Sequence, residues 1–285
     1  MTLFKPDYNI YFDSSDVESA LNCMNEYGYC VIKHMMPSSW IEELKREIDV
    51  VLDPSDNLPD ASNRYHMMFA EESDVVWRLL DHSPYLNFLR SIHGTDSLCL
   101  HRSAAILRSP GEGMGNWHKD HRGHIKHPKT ANDILNRLSI PSGCWFYLNG
   151  SHPDRSGIAV IEKSHYIDWP GPEGYQFTAE GSGFRRVEAE EDVSCNWMDV
   201  PGCIAVEADP GDLICFAALT FHANMATHER RYSCGFGFRS KEDKMVAPWK
   251  MPTTAKALIK RLGPRYKNYL EGYTGYDGDW GPTAM

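Results

Sequence analysis

Residues 209–238, DPGDLICFAALTFHANMATHERRYSCGFGF, hold the clearest structural pattern in the sequence. A Pro-Gly-Asp turn leads into the apolar run 213–216, and a second β-forming run, interrupted by glycines, occupies 232–238. Short runs of this kind, bounded by turn residues, predict β-strands. His222 and Arg230-Arg231 lie between the two predicted strands, so polar side chains accompany apolar strands here.

Similar short runs, separated by Gly, Pro and Asn, recur along the chain after Gly94. Many short strands of this type predict a sandwich or jelly roll. Residues 166–199 show no clear period and predict a long insertion between strands. The other predicted strands are 98–100, 104–107, 144–148, 158–161 and 203–206.

The N-terminal third has helical spacing instead. Ser15 opens a capping-box pattern whose apolar residues recur at helical spacing until Gly28. A second amphipathic helix starts near Ser39 and is closed by Pro54, and apolar clusters within 74–94 predict two shorter helices. The whole chain, 1–285, is therefore predicted as one mainly β domain: helical support over 1–94, a core over 95–240, and a tail over 241–285.

Composition excludes several classes of function. The formal charge of −10 and the lack of a long basic run argue against a nucleic-acid partner. The sequence has neither a secretory signal pattern nor an apolar stretch long enough to span a bilayer, which predicts a cytoplasmic protein with no membrane partner. Its eight cysteines include no Cys-x-x-Cys pair and are expected to be buried free thiols.

A candidate metal motif, Trp117-His118-Lys119-Asp120, follows the glycine-rich turn 111–115. In extended chain, His118 and Asp120 share one face and can reach one metal. A bare His-x-Asp is a weak signal, and a histidine such as His222 at a strand end is more often a core residue. Two imidazoles and one carboxylate together form the facial triad that suits Fe(II) and leaves three coordination positions open. Those positions suit a chelating 2-oxo acid and O₂.

The order of these motifs resembles the phytanoyl-CoA hydroxylase family of Fe(II)/2-oxoglutarate dioxygenases. The resemblance covers most of residues 18–239 and includes the opening helix with YGYCVI at 27–32, Ser164-His165, the Pro-Gly-Asp turn, and a distal histidine followed by two arginines. It implies a double-stranded β-helix, that is, a jelly-roll, cupin-like fold. It also implies iron held by His118, Asp120 and His222, with 2-oxoglutarate and O₂ as co-substrates.

The resemblance further implies that Arg231 or Arg230 binds the 5-carboxylate of 2-oxoglutarate. Alternation along a strand allows only one of them to face inward. Arg231 is favoured, because it shares its face with Ser233 and two glycines and leaves the bulky residues outside. The chain departs from the family pattern near this site: Lys163 replaces a glycine, and the segment from His222 to the arginines is short.

The substrate is expected to be a small organic molecule of specialised metabolism, hydroxylated, desaturated or rearranged. Trp117 and Arg122 are the predicted substrate contacts, and Arg122 belongs to a basic cluster at 121–127 that suits a carboxylate-bearing substrate. Aromatic residues near strands are usually core, and the cluster also fits a solvated loop. Asp120 argues against halogenation, which needs that position for chloride. The oligomeric state, homodimer included, stays open.

Two other classes of function remain alternatives: a cupin-type metal enzyme that does not use 2-oxoglutarate, and a non-catalytic small-molecule-binding barrel. The first needs no arginine after the distal histidine, so Arg230-Arg231 count against it. For the insertion 166–199, one hypothesis is a lid whose aromatics Trp169 and Tyr175 cover the substrate. The other is a surface excursion that packs on the N-terminal third or forms a subunit contact.

Overall fold

The computed structural model describes residues 5–66, 69–119, 143–166, 168–179, 183–217, 219–241 and 260–270. Two predicted site residues, Asp120 and Arg122, lie outside the described residues. Among the helices of the described residues, none is long and apolar enough to cross a membrane.

Four α-helices lie within residues 17–93 of the described chain. The first begins after Asp16, whose side chain accepts a hydrogen bond from the amide of Ser19 at 3.4 Å, so the cap lies one residue after the expected Ser15. It ends at Gly28, whose φ of 92° is the left-handed conformation that glycine adopts most easily. The helices are α1 (Val17–Tyr27), α2 (Ser38–Leu52), α3 (Val75–Leu79), α4 (Ser83–His93) and, near the C-terminus, α5 (Lys267–Leu270).

Twelve strands are present in the described residues: β1 (Tyr11–Phe12), β2 (Tyr29–Ile32), β3 (Asn63–His66), β4 (Leu98–Arg108), β5 (Gly143–Tyr147), β6 (Ile158–Ile161), β7 (Tyr175–Phe177), β8 (Phe184–Arg186), β9 (Cys203–Ala205), β10 (Leu213–Phe216), β11 (His222–Asn224) and β12 (Arg231–Ser240). Seven of them form the major sheet, in the order β1-β2-β10-β5-β12-β4-β3. Its pairs are antiparallel except β1 with β2. The minor sheet has the order β11-β6-β9, and β7 and β8 form a hairpin inside the insertion.

This architecture confirms the predicted mainly β fold with a helical N-terminal third. The two predicted runs 98–100 and 104–107 belong to one long strand, β4. Short strands β1, β3 and β11 and the hairpin of the insertion were not predicted, because two to four residues carry too little periodicity to recognise.

The two faces of the major sheet have different roles. The helix-facing side carries apolar side chains, with Tyr85 of α4 6.0 Å from Phe146 between ring centroids. It also carries three cysteines in adjacent register, Cys30 beside Cys215 and Cys215 beside Cys144. All eight cysteines are free and buried, as expected. The opposite, inner face carries the charged and polar groups of the candidate site.

Two inner-face glycines make room for large rings. A Cβ at Gly235 would lie 2.6 Å from Cδ2 of Trp145, which is its direct cross-strand neighbour. A Cβ at Gly143 would lie 2.4 Å from the ring of Phe216. Both distances are shorter than side chains tolerate, so the rings can lie flat across the sheet only over glycine.

Gly235→Ala should therefore lower the free energy of unfolding by roughly 1–3 kcal/mol, the usual cost of overpacking. Gly113→Ala is the matched control, because a Cβ at Gly113 has no heavy atom within 4 Å and its φ is not positive. Urea unfolding of both variants measures the difference. Equal stability of the two variants would contradict the close packing of Trp145 on this strand.

Candidate metal and anion site

His118 and His222 are joined by two reciprocal backbone hydrogen bonds. The amide of each donates to the carbonyl of the other, both at 3.0 Å, so the segment after the glycine-rich turn adds an antiparallel bridge to the minor sheet. Residues paired in this way project their side chains on the same side. The two imidazole centroids lie 4.3 Å apart.

Both imidazoles are oriented through Nδ1. In His118 this nitrogen lies 2.8 Å from the carbonyl oxygen of Asn116, and in His222 it lies 3.0 Å from that of Thr220. A carbonyl can only accept, so Nδ1 is the donor in each ring, and Nε2 is the nitrogen left to bind a metal in the neutral tautomer. This backbone support is the arrangement found behind histidine ligands of metals. Two imidazoles held side by side in this way fit a divalent iron.

One ring contact and one backbone hydrogen bond restrain the histidine pair. The ring of Phe216 lies 4.6 Å from that of His222 between centroids. Gly115, in the glycine-rich turn, donates its amide to the carbonyl of Asn224 at 2.9 Å. The turn is thereby fixed to β11 two residues beyond the histidine, which limits how far His118 can move from His222.

Trp117 points to the other side of the minor sheet, away from the imidazoles. It is fully buried, lies 6.2 Å from Phe184 between ring centroids, and donates its indole N–H to the carbonyl of Trp197 at 2.9 Å. Trp117 thus contacts the insertion, and its expected contact with substrate stays a prediction. The neighbour of His118 in an extended chain faces the opposite way. Trp117 therefore packs into the smaller of the two apolar clusters, which we call the second core.

The insertion supplies part of that second core. Trp169 lies 5.5 Å from Phe221, and Tyr175 lies 5.5 Å from Phe184, between ring centroids. The described part of the insertion packs on the outer face of the minor sheet. Its contacts with Trp117, through the backbone of Cys195 and Trp197 and the hydroxyl of Ser194, make it a support for the segment that carries His118.

Lys119 also lies on this outer side. Its ammonium group is 4.6 Å from the centroid of Phe221, and burial lowers its pKa to about 8. The alternation of His118 and Lys119 between the two sides agrees with the extended chain assumed for the His-x-Asp motif.

Arg231 is buried on the inner face of the major sheet, with an exposed fraction of 1 %. Its Nη1 donates to Oδ1 of Asn224 at 2.8 Å and to the carbonyl of Gly157 at 3.4 Å, and its guanidinium lies 5.3 Å from the ring centroid of Tyr147. Its Nε and Nη2 are buried without a hydrogen-bond partner among the described residues. Burial lowers the pKa of Arg231 to about 10, so the group stays protonated at neutral pH.

Arg230 faces the opposite way, toward α2. Its Nη2 lies 2.8 Å from a carboxylate oxygen of both Asp49 and Asp53, and its Nε donates to the hydroxyl of Tyr232 at 2.9 Å. Burial acts against its charged form, but the hydrogen bonds to Asp49 and Asp53 outweigh it and raise the pKa of Arg230. Arg230 therefore ties β12 to α2, and of the two predicted carboxylate binders only Arg231 faces the imidazole side of the sheet.

The sequence model of one family, described as phytanoyl-CoA dioxygenase (PhyH), matches residues 24–231. The chain belongs to the PhyH family. It is an Fe(II)/2-oxoglutarate-dependent dioxygenase, an oxidoreductase that uses iron, 2-oxoglutarate and O₂. No protein of curated function matches the sequence.

Solved structures share the fold of this PhyH protein at low sequence identity. The epimerase SnoN, in complex with Fe³⁺, alpha ketoglutarate and nogalamycin RO, is 18 % identical, with a TM-score of 0.55 and coverage of 79 % of this chain and 84 % of its own. HygX from Streptomyces hygroscopicus, with nickel and 2-oxoglutarate bound, is 16 % identical, with a TM-score of 0.58 and coverage of 78 % and 86 %. EctD from S. alaskensis, with 2-oxoglutarate and 5-hydroxyectoine, is 16 % identical, with a TM-score of 0.54 and coverage of 80 % and 77 %. These likenesses confirm the predicted jelly-roll fold.

The described residues of this PhyH protein include two of the three predicted iron ligands. Asp120 lies outside them, and so does Arg122 with the basic cluster 121–127. In the part of the chain that the structure describes, no group of three His, Cys, Asp or Glu side chains is placed to hold a metal ion. The imidazole pair is therefore the described part of the candidate iron site.

Sequence reasoning missed several polar residues of the inner face. Asn224 is the hydrogen-bond partner of Arg231. Arg108, the last residue of β4, is buried opposite Arg231 in the strand register. Its charge was visible in the sequence, but its pairing with β12 depends on a register that only the structure gives. Ser233, predicted to share the face of Arg231, is buried there with its hydroxyl unpartnered among described residues.

Proposed function

We propose that this PhyH enzyme oxidises a small organic molecule, by hydroxylation or by a related desaturation or rearrangement, with release of succinate and CO₂. The observation that carries the proposal is Arg231: a buried guanidinium with two unpartnered N–H groups, on the same inner side as the two imidazoles. Relatives of the same fold are described as an epimerase and a carbocyclase of nogalamycin biosynthesis, which supports a role in specialised metabolism.

His118, Asp120 and His222 would hold the iron. Iron and 2-oxoglutarate supply the oxidising chemistry when bound. The chain's own contribution is orientation: the carbonyls of Asn116 and Thr220 accept from Nδ1 of each ring, which leaves Nε2 as the nitrogen that would bind the metal.

Arg231 would bind the distal carboxylate of 2-oxoglutarate. No described carboxylate forms an ion pair with it, and a buried charge without a partner costs several kcal/mol. An entering carboxylate removes that cost and can accept two N–H bonds from the planar guanidinium. The site would thereby favour a 2-oxo acid with a second carboxylate over one that ends in an alkyl group.

The two alternative functions fit this geometry less well. A cupin-type metal enzyme without 2-oxoglutarate gives no reason to bury a guanidinium with unpartnered donors near the metal side. A non-catalytic barrel gives no reason to set two histidine protons on Nδ1. Both alternatives predict no 2-oxoglutarate binding that depends on Fe(II).

Anaerobic addition of Fe(II) and 2-oxoglutarate should produce the visible charge-transfer band of a chelated 2-oxo acid. His118→Ala, His222→Ala and Asp120→Ala should each abolish the band while circular dichroism stays unchanged, because each removes a predicted metal ligand. His152→Ala is the control, a partly exposed histidine in the connection from β5 to β6. A full band in any of the three ligand variants would remove that residue from the ligand set.

A screen of small organic molecules should identify compounds that stimulate succinate release and are themselves oxidised. Carboxylate-bearing molecules are expected among the best, because of the basic cluster that includes Arg122. Coupling of succinate to oxidised product, measured by mass spectrometry, separates true substrates from compounds that only accelerate 2-oxoglutarate loss. Stimulation by peptides alone, with no small molecule active, would overturn the proposed substrate class.

Arg231→Ala should weaken 2-oxoglutarate binding by about 2–5 kcal/mol, the usual cost of losing a buried charge-assisted pair. Arg230→Ala is the matched control: it should lower the free energy of unfolding, through loss of the contacts with Asp49 and Asp53, and leave the affinity for 2-oxoglutarate unchanged. Anaerobic titration and urea unfolding give the two quantities. Loss of affinity in the Arg230 variant with a benign Arg231 variant would reverse the assignment.

A further inference from the structure

The inner face carries a second buried guanidinium. Arg108 ends β4 and lies directly opposite Arg231 in the antiparallel register with β12. Its exposed fraction is 3 %. Two directly paired residues of neighbouring antiparallel strands project on the same side, so both guanidinium groups belong to one inner-face region.

The hydrogen bonds of Arg108 leave part of its guanidinium unused. Nη2 donates to the carbonyl of Gly113 at 2.5 Å and lies 3.5 Å from Oε1 of Glu112. Nε is buried and has no partner among the described residues. The same Oε1 accepts a hydrogen bond from Nδ2 of Asn63 at 2.5 Å, so Glu112 is shared between Arg108 and Asn63.

The charges of these groups do not cancel. Arg108 and Arg231 contribute two positive charges. Among the described residues, Glu112 is the carboxylate within ion-pair distance, and it lies beside Arg108. Like charges opposite each other on a sheet repel, and here both are buried. Burial lowers the pKa of Arg108, and beside the larger effect of burial the charge of Arg108 also lowers the pKa of Arg231. A ligand with one negative charge would neutralise the excess.

We propose that Arg108 is a second cationic arm of the carboxylate site, which binds the distal carboxylate of 2-oxoglutarate together with Arg231, and that Glu112 weakens this arm by competing for its guanidinium. The inference rests on the proposed function. It adds a residue that determines specificity, and it gives Glu112 the role of setting how strongly the co-substrate is held.

A purely structural role of Arg108 makes a different prediction. In that role the contacts with Gly113 and Glu112 only hold the glycine-rich turn in front of His118. Removing either partner of the ion pair would then loosen the same turn, and both variants would change in the same direction. Under the proposal they change in opposite directions, since one removes a cation from the site and the other removes its competitor.

The experiment is an anaerobic titration of the Fe(II) protein with two 2-oxo acids, followed by the charge-transfer band. One is 2-oxoglutarate; the other is 2-oxopentanoate, which has a methyl group in place of the distal carboxylate. Arg108→Gln should raise the Kd of 2-oxoglutarate roughly tenfold, as expected for loss of a charge-assisted hydrogen bond. Glu112→Gln, which keeps an oxygen for Asn63, should lower that Kd severalfold. The Kd of 2-oxopentanoate should change less than about twofold in both variants, because it lacks the group that the arm binds.

A Glu112→Gln variant that weakens 2-oxoglutarate binding as Arg108→Gln does would overturn the proposal in favour of the structural role. An equal weakening of both acids by Arg108→Gln would also overturn it. If Arg108→Gln fails to fold, Arg108→Lys replaces it: an affinity between those of the parent and Arg231→Ala supports the arm, and an unchanged affinity contradicts it. Absence of the band in the parent protein would reject the proposed function itself. A normal band, with the Kd of 2-oxoglutarate unchanged in the Arg108 and Glu112 variants, would reject only the role of Arg108 and Glu112.

Discussion

The site depends on the two backbone hydrogen bonds between His118 and His222. They join a segment that follows a glycine-rich turn to the edge of the minor sheet, so residues far apart in sequence present their imidazoles side by side. Because alternate residues face alternate sides, the same two bonds place Trp117 and Phe221 on the outer side, where the insertion packs. The metal side and the supporting core are thus the two faces of one short β-bridge. A change in packing on one side of this bridge is therefore expected to shift the side chains on the other side.

A second constraint is the positive charge buried on the major sheet. A protein selected only for stability would pair Arg231 with a carboxylate or replace it with an apolar residue, since an uncompensated buried charge costs several kcal/mol. Arg231 instead has an amide, a carbonyl and an aromatic ring as neighbours, which orient the guanidinium without neutralising it. Local violations of the rules of stability are expected where function requires them. In the proposed role of Arg231, a bound carboxylate would remove the cost of this buried charge.

Much of this arrangement could be predicted from the sequence, because alternation at period two is local. It favoured Arg231 over Arg230 as the inward arginine, and Gly235 lies on that face as alternation requires. The same rule, applied to Trp117, places its ring on the side opposite the imidazoles. Arg108 and Asn224 could not be recognised, since their relation to Arg231 depends on which strands are neighbours and in what register. The hairpin of the insertion escaped for another reason: its strands have three residues each.

The two consecutive arginines show how one strand can serve stability and function at once. Arg230 lies within hydrogen-bond distance of two aspartates of the α2 region, and this network fixes β12 against the helix. Arg231, one residue later, is turned by the pleat into the closed space between the sheets. The contacts of Arg230 hold the backbone of the strand on its outer side. On the inner side, the guanidinium of Arg231 keeps two donors unpartnered among the described residues. In the proposed role of Arg231, the contacts of Arg230 reduce the entropy lost when a ligand orders the site. A structural ion pair can thereby contribute to affinity without contact with the ligand.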